Sequence, residues 1–315
     1  MRTLIIGRGN LGRDLERAFR LRGGSSSVSL LPYNGGQNIL NFNLYSEPAP
    51  DIVFLCNGGF SVEPSEQDPS SALFHLLHVP VHLRQILPAG TTLVCFSSNY
   101  AEDPSLSLYA RLQRQKEILL NQMAEQDQWG RTFVFRVANL YGNYLPLRGF
   151  PGKLVRRIML GETIERMATN DMKPTHTRWL AECIAHHHEE LLCHYEDSIF
   201  DPCSALYPSG ETEPWSFANH VARAMRDLLE PSATEGGRGT SNPRLAQAFA
   251  NMMFDFRGFT ERPDRPVAFE DEANVQPELL LAPHGWRNQW DAFGPEHLRA
   301  IRTALESATP DDAIE

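Results

Sequence analysis

The sequence predicts an α/β fold on a parallel, doubly wound sheet, and three observations predict it. The strand-length apolar run at residues 3–6 meets Gly7-Arg8-Gly9-Asn10-Leu11-Gly12, a G-x-G-x-x-G pattern. Leu11, Leu15, Ala18 and Phe19 then recur at helical spacing. Further on, short buried-type strands at about 51–56, 92–96 and 133–137 alternate with helix-length amphipathic stretches, the signature of covered parallel strands and right-handed crossovers. Those strands end in small or polar residues, Asn57-Gly58-Gly59, Ser97-Ser98-Asn99 and Ala138-Asn139, and in such sheets ligands lie beyond the carboxyl ends of the strands.

The first element carries the most chemistry. A strand turning sharply into a helix aims unpaired backbone N–H groups and the positive end of the helix dipole at one point, which makes an anion site. Gly7, Gly9 and Gly12 suit the tight turn, the close approach of a pyrophosphate and the packing of helix on strand, so Gly7–Gly12, including Arg8, Asn10 and Leu11, is the expected dinucleotide cradle. A second strand reads at 27–31. An NAD-specific site places an acidic residue after that strand, yet no Asp or Glu occurs between Glu16 and Glu47. Arg8 either faces a 2′-phosphate or is a solvated turn residue, and NADP is favoured over NAD. Asn57, Gly58 and Gly59 are expected beside the cofactor.

A helix reads at about 70–86 and another at 107–123, opening near Tyr109. Beyond Gly142 the pattern loosens, with helices at about 151–160, 177–192 and 215–229 and a short strand at 198–201. A Gly/Ser/Thr-rich loop at 230–242 and helical pieces at 243–254 and 295–305 complete the chain. The expected division is a cofactor domain over 1–145 and a smaller, mostly C-terminal substrate lobe over 146–315, with about 170–205 returning to the sheet.

At 315 residues, 42% hydrophobic and 22% charged, the composition is that of a soluble globular protein. A net charge of −10 argues against nucleic-acid or anionic-membrane partners, which need basic surfaces. No apolar run approaches membrane-span length, and the first strand begins so early that no signal peptide is expected. Five cysteines, two of them in core strands, read as reduced thiols in the cytoplasm. The group Cys183, His186–His188, Cys193, His194 and Cys203 lacks a metal-ligand spacing and reads as a solvated helix end, so no metal is expected.

Several stretches, in order over about residues 1–270, resemble the extended or atypical short-chain dehydrogenase/reductases, within the NAD-dependent epimerase/dehydratase superfamily. The likeness is greatest to the dTDP-4-dehydrorhamnose reductase family. Ser97-Ser98-Asn99-Tyr100 is similar to that family's S-T-D-Y strand end, and the 57–63 loop to its N-A-A-A-Y-T-x-V-D. Arg136–Gly142 resembles R-x-x-W-V-Y-G, and Pro174–Ala181 resembles P-T-x-x-x-D-L-A. Residues 210–218 and 262–266 resemble its later G-E-x-S-W-x-x-F-A and R-R-P segments.

The resemblance implies a Rossmann domain, a nucleotide-sugar lobe, and a Ser/Thr–Tyr–Lys group that protonates the alkoxide left by hydride delivery. Homodimers are common in the family. Ser98 is the implied carbonyl-orienting hydroxyl and Tyr109 the implied acid; Asn99, Asn139, Tyr141, Arg262 and Arg265 are candidate substrate contacts. The family's Y-x-x-x-K-x-x-x-E departs here: Glu117 keeps its place, but Gln113 stands at the lysine position. A neutral amide can bond a ribose hydroxyl; it cannot lower a phenol's pKa by charge. Lys116, at i+7 from Tyr109, sits about 10 Å farther along the helix. The expected activity is NAD(P)-dependent reduction of a keto group on a nucleotide-sugar or a related metabolite. A nucleotide-sugar epimerase or dehydratase, or a non-catalytic NAD(P)-binding regulator, are the alternatives.

Overall fold

Residues 1–22, 27–33, 36–40, 49–57, 61–126, 130–142, 150–151, 153–154, 174–194 and 199–200 are described by the computed structural model. Strand β1 (Arg2–Ile6) runs through the turn Gly7–Gly9 into α1 (Asn10–Arg22). After β2 (Ser27–Leu31) come the short α2 (Gln37–Leu40) and β3 (Ile52–Leu55). Helices α3 (Val62–Gln67), α4 (Pro69–Leu73) and α5 (Val79–Ile86) precede β4 (Thr92–Ser98). A 3₁₀ turn (Asn99–Glu102), α6 (Leu108–Ala124), β5 (Thr132–Val137), β6 (Leu140–Tyr141), β7 (Thr175–His176), α7 (Thr177–His194) and β8 (Ile199–Phe200) follow.

Six strands form one parallel sheet in the order β2-β1-β3-β4-β5-β8, and β6 pairs with β7 separately. The direction of winding reverses between β1 and β3, so their carboxyl ends flank the switch-point crevice where such sheets bind ligands. Register keeps those ends level, since Ile6 lies opposite both Leu31 and Leu55. The alternation of side chains then sorts the core. Leu4, Ile6, Val53, Leu55, Leu93 and Cys95 pack with Val79 and Leu83 of α5 and Leu120 of α6. On the other face Phe54 meets Phe19 of α1, ring centroids 5.3 Å apart. Both faces of the central strands are therefore covered, as their continuous apolar sequence requires.

The chain divides into two compact units, Met1–Ala138 with Leu180–Ala205, and Asn139–Trp179 with Leu206–Glu315. The second unit's described residues are 139–142, 150–151, 153–154 and 174–179.

Two differences from the sequence reading have clear causes. The stretch expected as one helix over 70–86 is broken by a π turn, Phe74–His78, in which the Val79 N–H reaches back five residues to the Phe74 carbonyl. Pro80 follows at once; it has no N–H and its ring crowds the carbonyl four residues earlier, so a wider turn relieves it. The histidine-rich part of α7, expected as solvated, has, among its described side chains, His186 exposed and only His188 turned partly inward. His188 lies edge-on to Phe19, and His186 bonds Arg22, which reaches Glu182 at 3.4 Å. The short helices α2 and α3 lack the apolar periodicity that would announce them. The expected elements at 215–229, 230–242, 243–254 and 295–305, and most of 151–160, lie outside the described residues.

Candidate active site

The glycine turn behaves differently at its three glycines. Gly7 has φ +116°, and a Cβ there would sit 2.3 Å from the Cys56 carbonyl oxygen. A Cβ on Gly12 would meet the Gly7 carbonyl oxygen at 1.8 Å. Those two glycines are demanded by the packing of strand, turn and helix. Nothing lies within 4 Å of a Cβ built on Gly9. The protein's own packing gives no reason for glycine there, whereas a pyrophosphate lying against the turn does. The first bond of the α1 ladder runs from Arg13 N–H to Gly9 O, 3.1 Å, so the amides of Asn10, Leu11 and Gly12 stand ahead of it at the positive end of the helix. Leu11 is a core side chain, Arg8 is exposed and Asn10 is half-buried. The turn is held from both sides, by Gly7 N–H to Leu31 O at 2.8 Å and Cys56 N–H to Ile6 O at 2.7 Å.

Asn57 follows β3 and is engaged within the protein. Its Nδ2 donates to the His75 carbonyl at 2.6 Å. In the π turn the Val79 N–H goes to the Phe74 carbonyl, and the next residue, Pro80, has no N–H. Asn57 thus ties the end of β3 to the π turn. Tyr33, two residues beyond β2, bonds His75 Nδ1 at 2.7 Å and also Asn57. Burial pushes the Tyr33 phenol up to about 12, so it stays a donor, and burial holds His75 down, so its ring stays neutral and accepts. Sequence reasoning passed over Tyr33 and His75; the proline within a helical stretch was the available signal. Gly58 and Gly59 lie outside the described residues.

At the end of β4, Ser98 and the start of α6 converge. Ser107 caps α6, its Oγ accepting from Ala110 N at 3.1 Å, and Glu66 of α3 accepts from Leu108 N at 2.6 Å. This holds Tyr109 in the first turn, near the side chains of Gln113 and Ser98 and with its ring 6.3 Å from that of Tyr100. Gln113 is buried, 4% exposed, and its Oε1 has no partner among the described residues. Ser98 Oγ lies 3.3 Å from Asn99 Oδ1 and accepts from Tyr100 N at 3.3 Å. Burial is the main cause that raises the Tyr109 pKa, with the nearby Gln113 and Ser98 side chains opposing it.

Lys116 is not part of this group. It is 1% exposed and its Nζ donates to the Phe96 carbonyl of β4 at 2.7 Å. Glu117, fully buried, takes a bidentate pair from Arg136 of β5 at 2.9 and 2.8 Å, tying helix to strand. The Ser98, Tyr109 and Gln113 positions are therefore brought together, with Asn99 beside them. Asn139 and Tyr141 belong to the second unit. Asn139 has φ 44°, uncommon for a non-glycine residue, and its carbonyl accepts from Thr175 N at 3.3 Å. The Tyr141 ring is buried edge-on against His176, centroids 4.9 Å apart. Arg262 and Arg265 lie outside the described residues.

No protein-family model and no curated protein matches the chain. Solved structures do. A Thermus thermophilus UDP-glucose 4-epimerase in complex with NAD aligns at TM-score 0.54 and 18% identity, over 71% of this chain and 83% of its own. A Bacillus anthracis dTDP-4-dehydrorhamnose reductase in complex with NADP aligns at 0.53 and 16%, over 69% and 78%. RMD from Pseudomonas aeruginosa, complexed with NADPH, aligns at 0.53 and 16%, over 82% and 100%. At such identities the likeness speaks for architecture: this chain has the Rossmann-type fold of structures that include nucleotide-sugar epimerases and dTDP-4-dehydrorhamnose reductases.

Proposed function

We propose that the first unit binds a nicotinamide dinucleotide, NADP ahead of NAD, and that the chain reduces a keto group on a nucleotide-linked sugar. The observation that carries this reading is the nearness of Tyr109 to Ser98 at the carboxyl end of β4, on the sheet edge that also holds the glycine turn. Three features fit a dinucleotide: the open space at Gly9, the amides leading α1, and the orphaned buried Gln113 Oε1, which suits a ribose hydroxyl. Bound there, the cofactor supplies the hydride. The protein's part is to orient the carbonyl oxygen with Ser98 and protonate it with Tyr109. NADP is favoured because β2 leads into Pro32 and Tyr33 with no carboxylate nearby in sequence, and Arg8 is exposed beside the turn. The neighbours solved with NAD, NADP and NADPH support the same cofactor class.

A second reading, a non-catalytic NAD(P)-binding regulator, is favoured by Gln113 at the lysine position and by Lys116 being held at Phe96. One experiment separates the two. NADPH oxidation is followed against a panel of UDP- and dTDP-linked ketosugars, with Tyr109→Phe in parallel. Turnover lost in Tyr109→Phe supports the reductase; tight NADPH binding, without turnover of any panel member in either protein, supports the regulator.

A further inference from the structure

We infer that Asn99, through its side-chain amide nitrogen, is the hydrogen-bond donor to the substrate's carbonyl oxygen, and that Ser98 is a positioning residue that holds this amide in place. The inference rests on the reading of the site as a ketone reductase and assigns the carbonyl's donor within it. It starts from the bonds at the carboxyl end of β4. Ser98 is buried, 6% exposed, and its Oγ is engaged twice. It accepts from the Tyr100 backbone N–H at 3.3 Å and gives its one proton to Asn99 Oδ1, also at 3.3 Å. Asn99 is the first residue of the 3₁₀ turn and is half-buried.

A carbonyl oxygen only accepts, so a site that orients one must offer it a donor. Ser98 has a single proton and cannot give it to a carbonyl without releasing Asn99. The Asn99 amide carries two N–H bonds on its nitrogen, and its oxygen is the part turned to Ser98. The bonds themselves set that orientation. Were the amide reversed, the buried Ser98 proton would lose the acceptor it has, while Oγ already accepts from Tyr100. Among the described residues nothing accepts from Asn99 Nδ2, which belongs to the more exposed of the two side chains. Of this pair, the group with donors to spare is therefore also the one an arriving substrate meets.

The donor matters because of where charge develops. As the carbonyl carbon accepts a hydride, with its electron pair, from the reduced nicotinamide, the carbonyl π pair moves onto oxygen. An N–H aimed at that oxygen stabilises the growing charge more than it binds the neutral ketone, so it acts on the rate. It lowers the same barrier in both directions and so serves reduction and alcohol oxidation alike. An aspartate at this position, as in the S-T-D-Y strand end, would still accept the Ser98 proton, but an ionised carboxylate has no donor to give. Asn99→Asp therefore keeps the hold of Ser98 and removes only the donor.

The test is reduction of the UDP- and dTDP-linked ketosugars by NADPH, comparing wild type with Asn99→Asp, Asn99→Ala, Ser98→Ala, Ser98→Thr and the double alanine variant. NADPH binding is followed by fluorescence, and ketosugar binding without cofactor by calorimetry. Asn99→Asp and Asn99→Ala are expected to lower kcat about 100-fold, with both affinities within about threefold of wild type. Ser98→Ala should lower kcat no further than Asn99→Ala does, Ser98→Thr should recover most of that loss, and the double variant should match Asn99→Ala alone. Wild-type kcat in a folded Asn99→Asp or Asn99→Ala overturns the inference. Losses that multiply in the double variant also overturn it, because Ser98 then meets the carbonyl itself. So does a fall in ketosugar affinity that accounts for the whole loss of kcat/KM. A wild type that binds NADPH but reduces no ketosugar overturns the reductase reading, and this inference with it.

Discussion

The two edges of the main sheet are finished in opposite ways. At the amino edge the fully buried Arg84 donates through Nη1 to the carbonyls of Thr91 and Arg131, at 2.8 and 3.1 Å. Through Nη2 it donates to Leu87 and Pro88, at 3.1 and 3.0 Å. It thereby closes the end of α5 and the entries to β4 and β5 with one side chain. At the carboxyl edge the corresponding groups are left for something else: open space at Gly9, amides ahead of the α1 ladder, and an unpartnered Gln113 oxygen. The amino edge also holds buried polar atoms without a partner among the described residues, Arg84 Nε and the Thr3 and Thr132 hydroxyls, so what distinguishes the carboxyl edge is open space beside free amides, which suits a ligand.

Breaking the amino edge should have the largest effect on stability. Arg84→Met removes a donor from four carbonyls, of which Pro88 and Arg131 keep a backbone N–H, and should cost about 3 kcal/mol, read as a fall in the urea midpoint at unchanged slope. The same variant, where folded, should bind NADPH as wild type does. A cost under about 1 kcal/mol would mean that water replaces the guanidinium and the contrast between the edges is weaker than drawn.

Lys116 sharpens the comparison because it is a buried charge whose partners are structural. Burial pushes its ammonium down to about 8 from an ordinary 10.5, so the folded state loses this proton before the unfolded chain does. Its contribution to stability is therefore complete above pH 10.5 and is lost as the pH falls through about 8. Lys116→Met should be more stable than wild type at neutral pH, by about 1–2 kcal/mol, with the difference shrinking as pH rises across that window. Equal pH profiles for the two proteins would contradict the assignment. A smaller effect belongs to Asn57→Ala, which removes the bond to the His75 carbonyl and should cost about 1 kcal/mol and weaken NADPH binding, measurable by melting and titration.

The carboxyl edge was the more legible of the two in sequence. The strand–glycine–helix start is local, its periodicity and glycines lie within twenty residues, and the structure places it as expected. Ser98, Tyr109 and Gln113 were grouped by family spacing and do meet, although spacing alone gave no sign of how: Glu66, far back in the chain, pins the Leu108 amide. Arg84 was invisible for the same reason. Its acceptors include the Arg131 carbonyl, 47 residues away, and nothing in a lone arginine on an amphipathic helix announces four carbonyls. The π turn was readable from Pro80, yet the bond from Asn57 to the His75 carbonyl within it emerges only once β3 and that helix are packed together.

The most direct test of the carboxyl edge as a dinucleotide site compares Gly9→Ala with Gly12→Ala. A methyl at Gly9 meets no protein atom, whereas one at Gly12 strikes the Gly7 carbonyl. NADPH titration of Gly9→Ala should show binding weakened by roughly tenfold or more, about 1.4 kcal/mol, with thermal stability at or above wild type, while Gly12→Ala loses stability. Full NADPH affinity in a folded Gly9→Ala protein would contradict the account.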